Sequence, residues 1–258
     1  MKEDMVRGKR IKILVALVLA LVIASFVGFF IYVSIYYKAD ETALIIYEEG
    51  LDNGEIFVID NMTIIEPDEP SGKGIIFYPG AKVEAIAYIP ILQQLAEEGF
   101  SVVLIEMPFN MAIFNVDAGD DVFELIADLE TGTAVYEEMN NLESLVAVDD
   151  WYMMGHSMGG AMASSYASDN QELLEGLILI GAYVYGEYPT EEALTIYGTF
   201  NDNLEANIDY TDNIVIIEGG NHAQYGNYGA QDGDPEATIT DVEQQAITVD
   251  AIMEFVEN

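Results

Sequence analysis

The sequence predicts an α/β fold: a mostly parallel central sheet with helices on both faces, preceded by one N-terminal membrane-spanning helix. Three observations predict it. From about Ala43 onward, short and solidly apolar runs alternate with helical stretches, the pattern of strands buried on both faces and joined by crossover helices. One segment, Ile13 to Tyr37, runs for 25 residues without a charge. A Gly-His-Ser-Met-Gly pentapeptide at 155–159 lies between an apolar run and a helical stretch.

The uncharged segment comes first. At about 1.5 Å per residue it is long enough to cross a bilayer core of about 30 Å. Lys2, Arg7, Lys9, Arg10 and Lys12 precede it, and Lys38 alone follows before acids take over. Positive charge on the leading side places the N-terminus in the cytoplasm and the rest outside. The run is longer than the apolar core of a cleaved signal peptide, and Tyr37-Lys38-Ala39 is a poor cleavage sequence. The expected organisation is a basic cytoplasmic tail at 1–12, a transmembrane anchor at 13–37 and an extracellular domain at 39–258.

In that domain the expected strands are Ala43–Tyr47, Ile56–Ile59, Gly74–Tyr78, Ser101–Ile105, Trp151–Met154, Gly176–Ile180, Ala193–Tyr197 and Asn213–Ile217. The expected helices are Val83–Glu98, Asp120–Leu129, Met158–Ser168 and Thr240–Val256. Asp52-Asn53-Gly54 reads as the tight turn of an antiparallel edge hairpin between the first two strands. Only about a dozen residues, Gly181 to Glu192, join two of the later strands, which leaves no room for a large cap.

Charge and composition exclude several classes. The chain has 46 acidic and 8 basic residues and a net charge of −38. From Ala39 onward, Lys73 and Lys82 stand against 44 acids, a net charge of −42. Such a surface repels nucleic-acid phosphates, so no nucleic-acid partner is expected. It is also the surface of a halophilic or alkaline-exposed protein, because salt screens self-repulsion. With no cysteine, disulfides and thiolate chemistry are excluded. With two histidines, no metal site is expected, and nothing implies an organic cofactor.

The pentapeptide carries the chemistry. A Gly-x-Ser-x-Gly turn between a strand and a helix exposes its serine at the top of a sheet. That makes Ser157 a candidate nucleophile, which needs a base. His156 lies inside the turn and should point away from Ser157. His222 is thus the base by elimination, in the loop after the last strand, where open α/β sheets place their sites. An acid should orient it. Asp202 follows the Ala193–Tyr197 strand by a short loop and fits that role, while Asp209 and Asp212 sit nearer the start of the next strand. The oxyanion donors are expected to be the N–H groups of Met158 and Ala81, with Lys82 as the alternative to Ala81. Lys82 is also a candidate for an anionic substrate group. The apolar stretch Met107–Val116 is either part of an acyl pocket or core.

Four segments together resemble the α/β-hydrolase superfamily: Phe77-Tyr78-Pro79-Gly80-Ala81-Lys82-Val83, Met107-Pro108-Phe109-Asn110-Met111-Ala112, Gly155 to Ala163, and Glu218-Gly219-Gly220-Asn221-His222-Ala223-Gln224-Tyr225-Gly226. The chain looks closest to a compact dienelactone-hydrolase-like group of serine hydrolases. The resemblance implies the α/β-hydrolase fold and a triad of Ser157, Asp202 and His222. It departs from dienelactone hydrolases proper, which use a cysteine nucleophile. The candidate site is thus Ser157, His222 and Asp202, with Met158 and Ala81 at the oxyanion and Lys82, Tyr225 and Met107 toward the substrate. The expected activity is membrane-anchored, extracytoplasmic hydrolysis of small carboxylic esters through an acyl-enzyme. A cell-envelope acyltransferase and a non-catalytic binding protein on the same fold are the alternatives.

Overall fold

The computed structural model describes residues 2–132 and 142–257, except the side chains at 2–4, 6–10, 143, 202 and 203. It divides into two units, 1–36 and 37–258. The first is helix α1, Lys2–Ser34. Its stretch Ile11–Ser34 is long and apolar enough to cross a membrane.

Among the described residues the second unit holds eight strands: β1 (Ile56–Ile59), β2 (Met62–Ile65), β3 (Lys73–Tyr78), β4 (Ser101–Ile105), β5 (Asp150–His156), β6 (Gly176–Ile180), β7 (Ala193–Gly198) and β8 (Ile214–Ile217). They form one sheet in the order β1-β2-β4-β3-β5-β6-β7-β8. β1 and β2 pair antiparallel, as do β2 and β4, and every later pairing is parallel. The helices are α2 (Glu41–Asn53), α3 (Ile89–Glu97), α4 (Gly119–Thr131), α5 (Glu143–Val146), α6 (Met158–Asp169), α7 (Asp202–Glu205) and α8 (Asp241–Val256).

Strand alternation builds two cores from one sheet. Ile75, Phe77, Val102, Leu104, Tyr152, Met154, Ile178 and Ile180 point into one, with Leu92 and Leu95 of α3 and Ile252 of α8. Ile76, Tyr78, Val103, Ile105, Trp151, Met153, Leu177 and Leu179 point into the other, with Val122 of α4 and Ala163 of α6. Both faces of the central strands are dry, which is why they read as solid apolar runs.

The edge differs from the sequence expectation. Ala43–Tyr47 is not a strand; it lies within α2. Asp40 caps that helix by accepting the Ala43 N–H at 2.9 Å. Gly54, left-handed at φ 82°, closes it by donating to the Gly50 carbonyl. A five-residue apolar run fits either period, and here the caps decide. Asp52-Asn53-Gly54 is therefore a helix end. The antiparallel edge hairpin exists one strand later, between β1 and β2, around Asp60 in the left-handed region at φ 51°. The stretch Val83–Glu98 is not one helix either. A 3₁₀ turn, Ala85–Tyr88, precedes α3. Pro90 has no N–H to give and sits where it is tolerated, in the first turn of α3.

Candidate active site

β5 ends at His156 and α6 begins at Met158, so Ser157 alone turns the chain between them. It does so at φ 55°, ψ −123°, a conformation that costs a non-glycine residue roughly 1–3 kcal/mol. The turn is pinned by the Ser157 N–H donating to the Ile180 carbonyl at 3.1 Å and by the Ser157 carbonyl accepting from Ala161 N–H at 3.1 Å. The glycine at 159 is a steric necessity. A Cβ there would stand 2.2 Å from the carbonyl oxygens of Tyr78 and Pro79. The start of α6 is thus pressed against the carboxyl end of β3, beside the loop that follows it.

That loop is held on both sides. Lys82, at φ 60°, donates its N–H to the Asn110 carbonyl at 2.6 Å and accepts from Tyr37 N–H at 2.7 Å. Tyr37 in turn accepts from Glu84 N–H at 2.9 Å, and its hydroxyl accepts from Asp232 N–H at 3.0 Å. The first residue of the compact unit is thereby knitted into the loops around the site.

His222 follows β8. Its Nε2 lies 2.9 Å from Ser157 Oγ. Its backbone N–H and that of Ala223 donate to the two oxygens of Asp234, at 3.2 and 2.8 Å. Burial pushes the imidazole pKa below its ordinary value, and the Asp234 charge pulls partly against that. The net lowering keeps the ring neutral at pH 7, the form that takes a proton. The amide of Asn201 faces Nδ1, its Nδ2 at 3.1 Å. For Nε2 to accept from serine, Nδ1 must carry the hydrogen. An Asn201 amide turned by 180° occupies the same volume and presents Oδ1 as the acceptor. Asp202 is the next residue, at the start of α7; its side chain lies outside the described residues. Of the alternatives, Asp212 accepts from the Thr190 hydroxyl at 3.3 Å, at the amino end of the sheet.

His156 is also in contact with the site. It is 1 % exposed and its ring centroid is 4.6 Å from that of His222. Its Nδ1 is 2.7 Å from the Tyr88 hydroxyl and its Nε2 is 3.0 Å from the His222 carbonyl. Burial, and then the nearby His222, push its pKa well below the ordinary value.

The structure thus brings Ser157, His222, Met158 and the Ala81–Lys82 loop together. Two of the three residues expected to face a substrate, Tyr225 and Met107, are placed differently. Tyr225 is wholly buried, with its ring 5.5 Å from that of His156, and Met107 is 3 % exposed. Both are core as they stand, and neither presents surface to a ligand. In the stretch Met107–Val116 the buried members are Met107, Met111 and Ala112, while Phe109, Ile113 and Phe114 are exposed. Tyr88, Asn201 and Asp234 were missed. Tyr88 had a weak signal, since a tyrosine within an apolar helical stretch needs a partner for its hydroxyl. Asp234 had none, one carboxylate among 44 in the domain.

A sheet of this order, with a strained serine at a strand-to-helix elbow and a histidine after the last strand, defines the α/β-hydrolase class. The chain matches the model of the alpha/beta hydrolase family over residues 74–246, and it belongs to that family. Curated protein sequences give no match. Among solved structures it is similar to dienelactone hydrolase from Anabaena variabilis, at 12% identity and TM-score 0.47, covering 77% of this chain and 97% of that one. It is likewise similar to Est1E from Butyrivibrio proteoclasticus, at 14% identity and TM-score 0.45, covering 79% and 98%. A ferulic acid esterase from Streptomyces cinnamoneus is similar at 17% identity and TM-score 0.45, covering 73% and 67%.

Proposed function

We propose that the protein is a membrane-anchored, extracytoplasmic serine hydrolase that cleaves carboxylic esters. The observation that carries this reading is the 2.9 Å approach of His222 Nε2 to Ser157 Oγ at a backbone conformation that exposes the serine. In this reading His222 takes the Ser157 proton as Oγ attacks the ester carbonyl. The oxyanion is received by the N–H groups of Met158 and Ala81. The N–H of Lys82 is engaged by Asn110, so Ala81 is the donor assigned to this loop. His222 then protonates the leaving alcohol, and water resolves the acyl-enzyme by the same route in reverse. Asp202, next to the Asn201 whose amide faces His222 Nδ1, is the acid assigned to stabilise the His222 cation.

Ile11–Ser34 anchors the chain, and the excess of Lys and Arg before it sets the domain outside. The connection between β6 and β7 spans residues 181–192 with a single 3₁₀ turn. An uncapped site of this kind suits small or surface-accessible esters. Lys82 remains the candidate for an anionic substituent.

The test is to treat the full chain, in detergent, with a fluorophosphonate and to map the adduct by mass spectrometry. The expected adduct is on Ser157 and is absent in Ser157→Ala and His222→Ala. A folded wild-type chain that gives no adduct contradicts the reading. Protease digestion of intact cells should remove the domain and spare the N-terminal tail.

A further inference from the structure

The contacts of His156 fix its chemical form. The His222 carbonyl has no hydrogen to give, so His156 Nε2, 3.0 Å away, must be the donor. A neutral imidazole with hydrogen on Nε2 has an acceptor at Nδ1. The Tyr88 hydroxyl, 2.7 Å from Nδ1, must then donate to it. Tyr88 Oη is left as an acceptor, and the Gly80 N–H donates to it at 3.1 Å. The chain Gly80 N–H to Tyr88 to His156 to the His222 carbonyl therefore runs in one direction, with every donor and acceptor matched. Its two side chains are dry: Tyr88 is 0 % exposed and His156 is 1 % exposed. Nothing larger fits, because a Cβ on Gly80 would stand 2.8 Å from both His156 Nδ1 and the Tyr88 hydroxyl.

We infer that His156, as the neutral Nε2–H tautomer polarised by Tyr88, is a positioning residue that holds the backbone of His222 so that its ring meets Ser157. The inference rests on the reading of His222 as the base. His156 adjoins Ser157 in the chain, and its side chain grips the base by the main chain. The geometry of serine relative to base is therefore set within one rigid turn. Asp234 holds the N–H side of the same residue, so the peptide units on both sides of His222 are fixed. The ring itself stays free to take and return a proton. A positive charge on His156 is incompatible with that role, because the His222 cation would form 4.6 Å from it, centroid to centroid.

Two variants separate the two hydrogen bonds. In His156→Gln the amide nitrogen reaches the position of Nε2 and keeps the donor to the His222 carbonyl. In His156→Asn the amide reaches only the position of Nδ1, so that donor is lost. Measured on the full chain with a fluorophosphonate and with p-nitrophenyl acetate, His156→Asn should lose about 10- to 100-fold in labelling rate and kcat. Its KM should change less than about threefold. His156→Gln should recover to within about threefold of the wild-type kcat. A folded Asn variant that labels at the wild-type rate overturns the inference. So does an equal loss in both variants, which would mean packing and not the donor. If the wild type forms no Ser157 adduct, the hydrolase reading fails and takes the inference with it. Should the variants not fold, nitrogen NMR of the ¹⁵N-histidine-labelled wild type decides. Only two histidines contribute, and hydrogen on Nδ1 of His156 overturns the assignment.

Discussion

At the carboxyl ends of β5 to β8, two histidines, a serine and a tyrosine meet in a chain of matched hydrogen bonds between buried or half-buried groups. At the amino ends of the same strands, Glu175, Glu191, Glu192 and Glu254 line a cleft of about 550 Å³ with Tyr152, Leu194, Val215 and Phe255. The second region is roomy and charged, and among the described residues its lining holds no serine and no histidine. Its carboxylates keep their water and interact weakly. Along the chain from Gly80 through Tyr88 and His156 to the His222 carbonyl each donor meets an acceptor, and the buried Tyr88 and His156 have little water to fall back on. On the proposed function, reactivity sits in the matched region, and single changes there should be felt far more than changes among the acids.

The largest expected effect follows directly. His222→Gln should lower kcat for p-nitrophenyl acetate by on the order of 10⁴ or more, with the fold intact by circular dichroism. Glu191→Gln with Glu192→Gln should leave kcat within about twofold. A comparable loss in both would erase the distinction between the two ends.

Next is the elbow. Gly159→Ala forces a methyl to within 2.2 Å of two carbonyl oxygens, and both belong to backbone that cannot swing aside. The expected loss is about 3 kcal/mol of stability, read as a fall in Tm, together with loss of the Ser157 adduct. An alanine variant that melts and labels like the wild type would show that β3 yields more readily than its packing implies.

These positions also mark what was legible in the sequence. Ser157, His222 and the strands that carry them stood out because chemistry restricts the residue types there: a turn this tight needs glycine, and general-base work here needs histidine. The edge was misread because Ala43–Tyr47 is apolar enough for either period, and only the caps at Asp40 and Gly54 settle it. Asn201 and Asp234 were hidden for another reason, and Tyr88 gave only a weak signal. Each acts through a contact between distant segments, and no local pattern records which of many acids or amides makes it.

The pH profile sharpens the comparison with a smaller effect. Burial lowers the His222 pKa, so the ring stays neutral, and active as a base, to lower pH than a solvated imidazole. The acid limb of kcat/KM should therefore have its midpoint below about 6.5. Asp234 acts in the opposite direction, so Asp234→Asn should move the limb lower still. A limb above 7 contradicts the idea that burial dominates. At the other end of the sheet the response is to salt. The wild-type Tm should rise from low to molar salt, and the gain should be smaller in Glu191→Gln with Glu192→Gln by roughly 1–3 °C.

The smallest effect tests an exception at the acidic end. Glu66 follows β2, whose last residue pairs with Val102 near the start of β4. Unlike the cleft acids it is half-buried. Burial raises its pKa to about 7, against the N–H groups of Leu145 and Ser144, which lower it. The Ser144 hydroxyl donates to it and contacts Ser101 Oγ at 2.9 Å. With the folded pKa above the unfolded value, Glu66 binds more protons when folded. Its stabilising contribution is complete below about 4.5, the ordinary carboxyl value, and is lost as pH rises through about 7. Glutamine keeps one oxygen for these donors and cannot ionise. The Tm of Glu66→Gln relative to wild type should therefore become more favourable between pH 5 and pH 8. A difference that is flat across that range would mean that Glu66 is solvated like its neighbours, and that the amino end of the sheet is wet without exception.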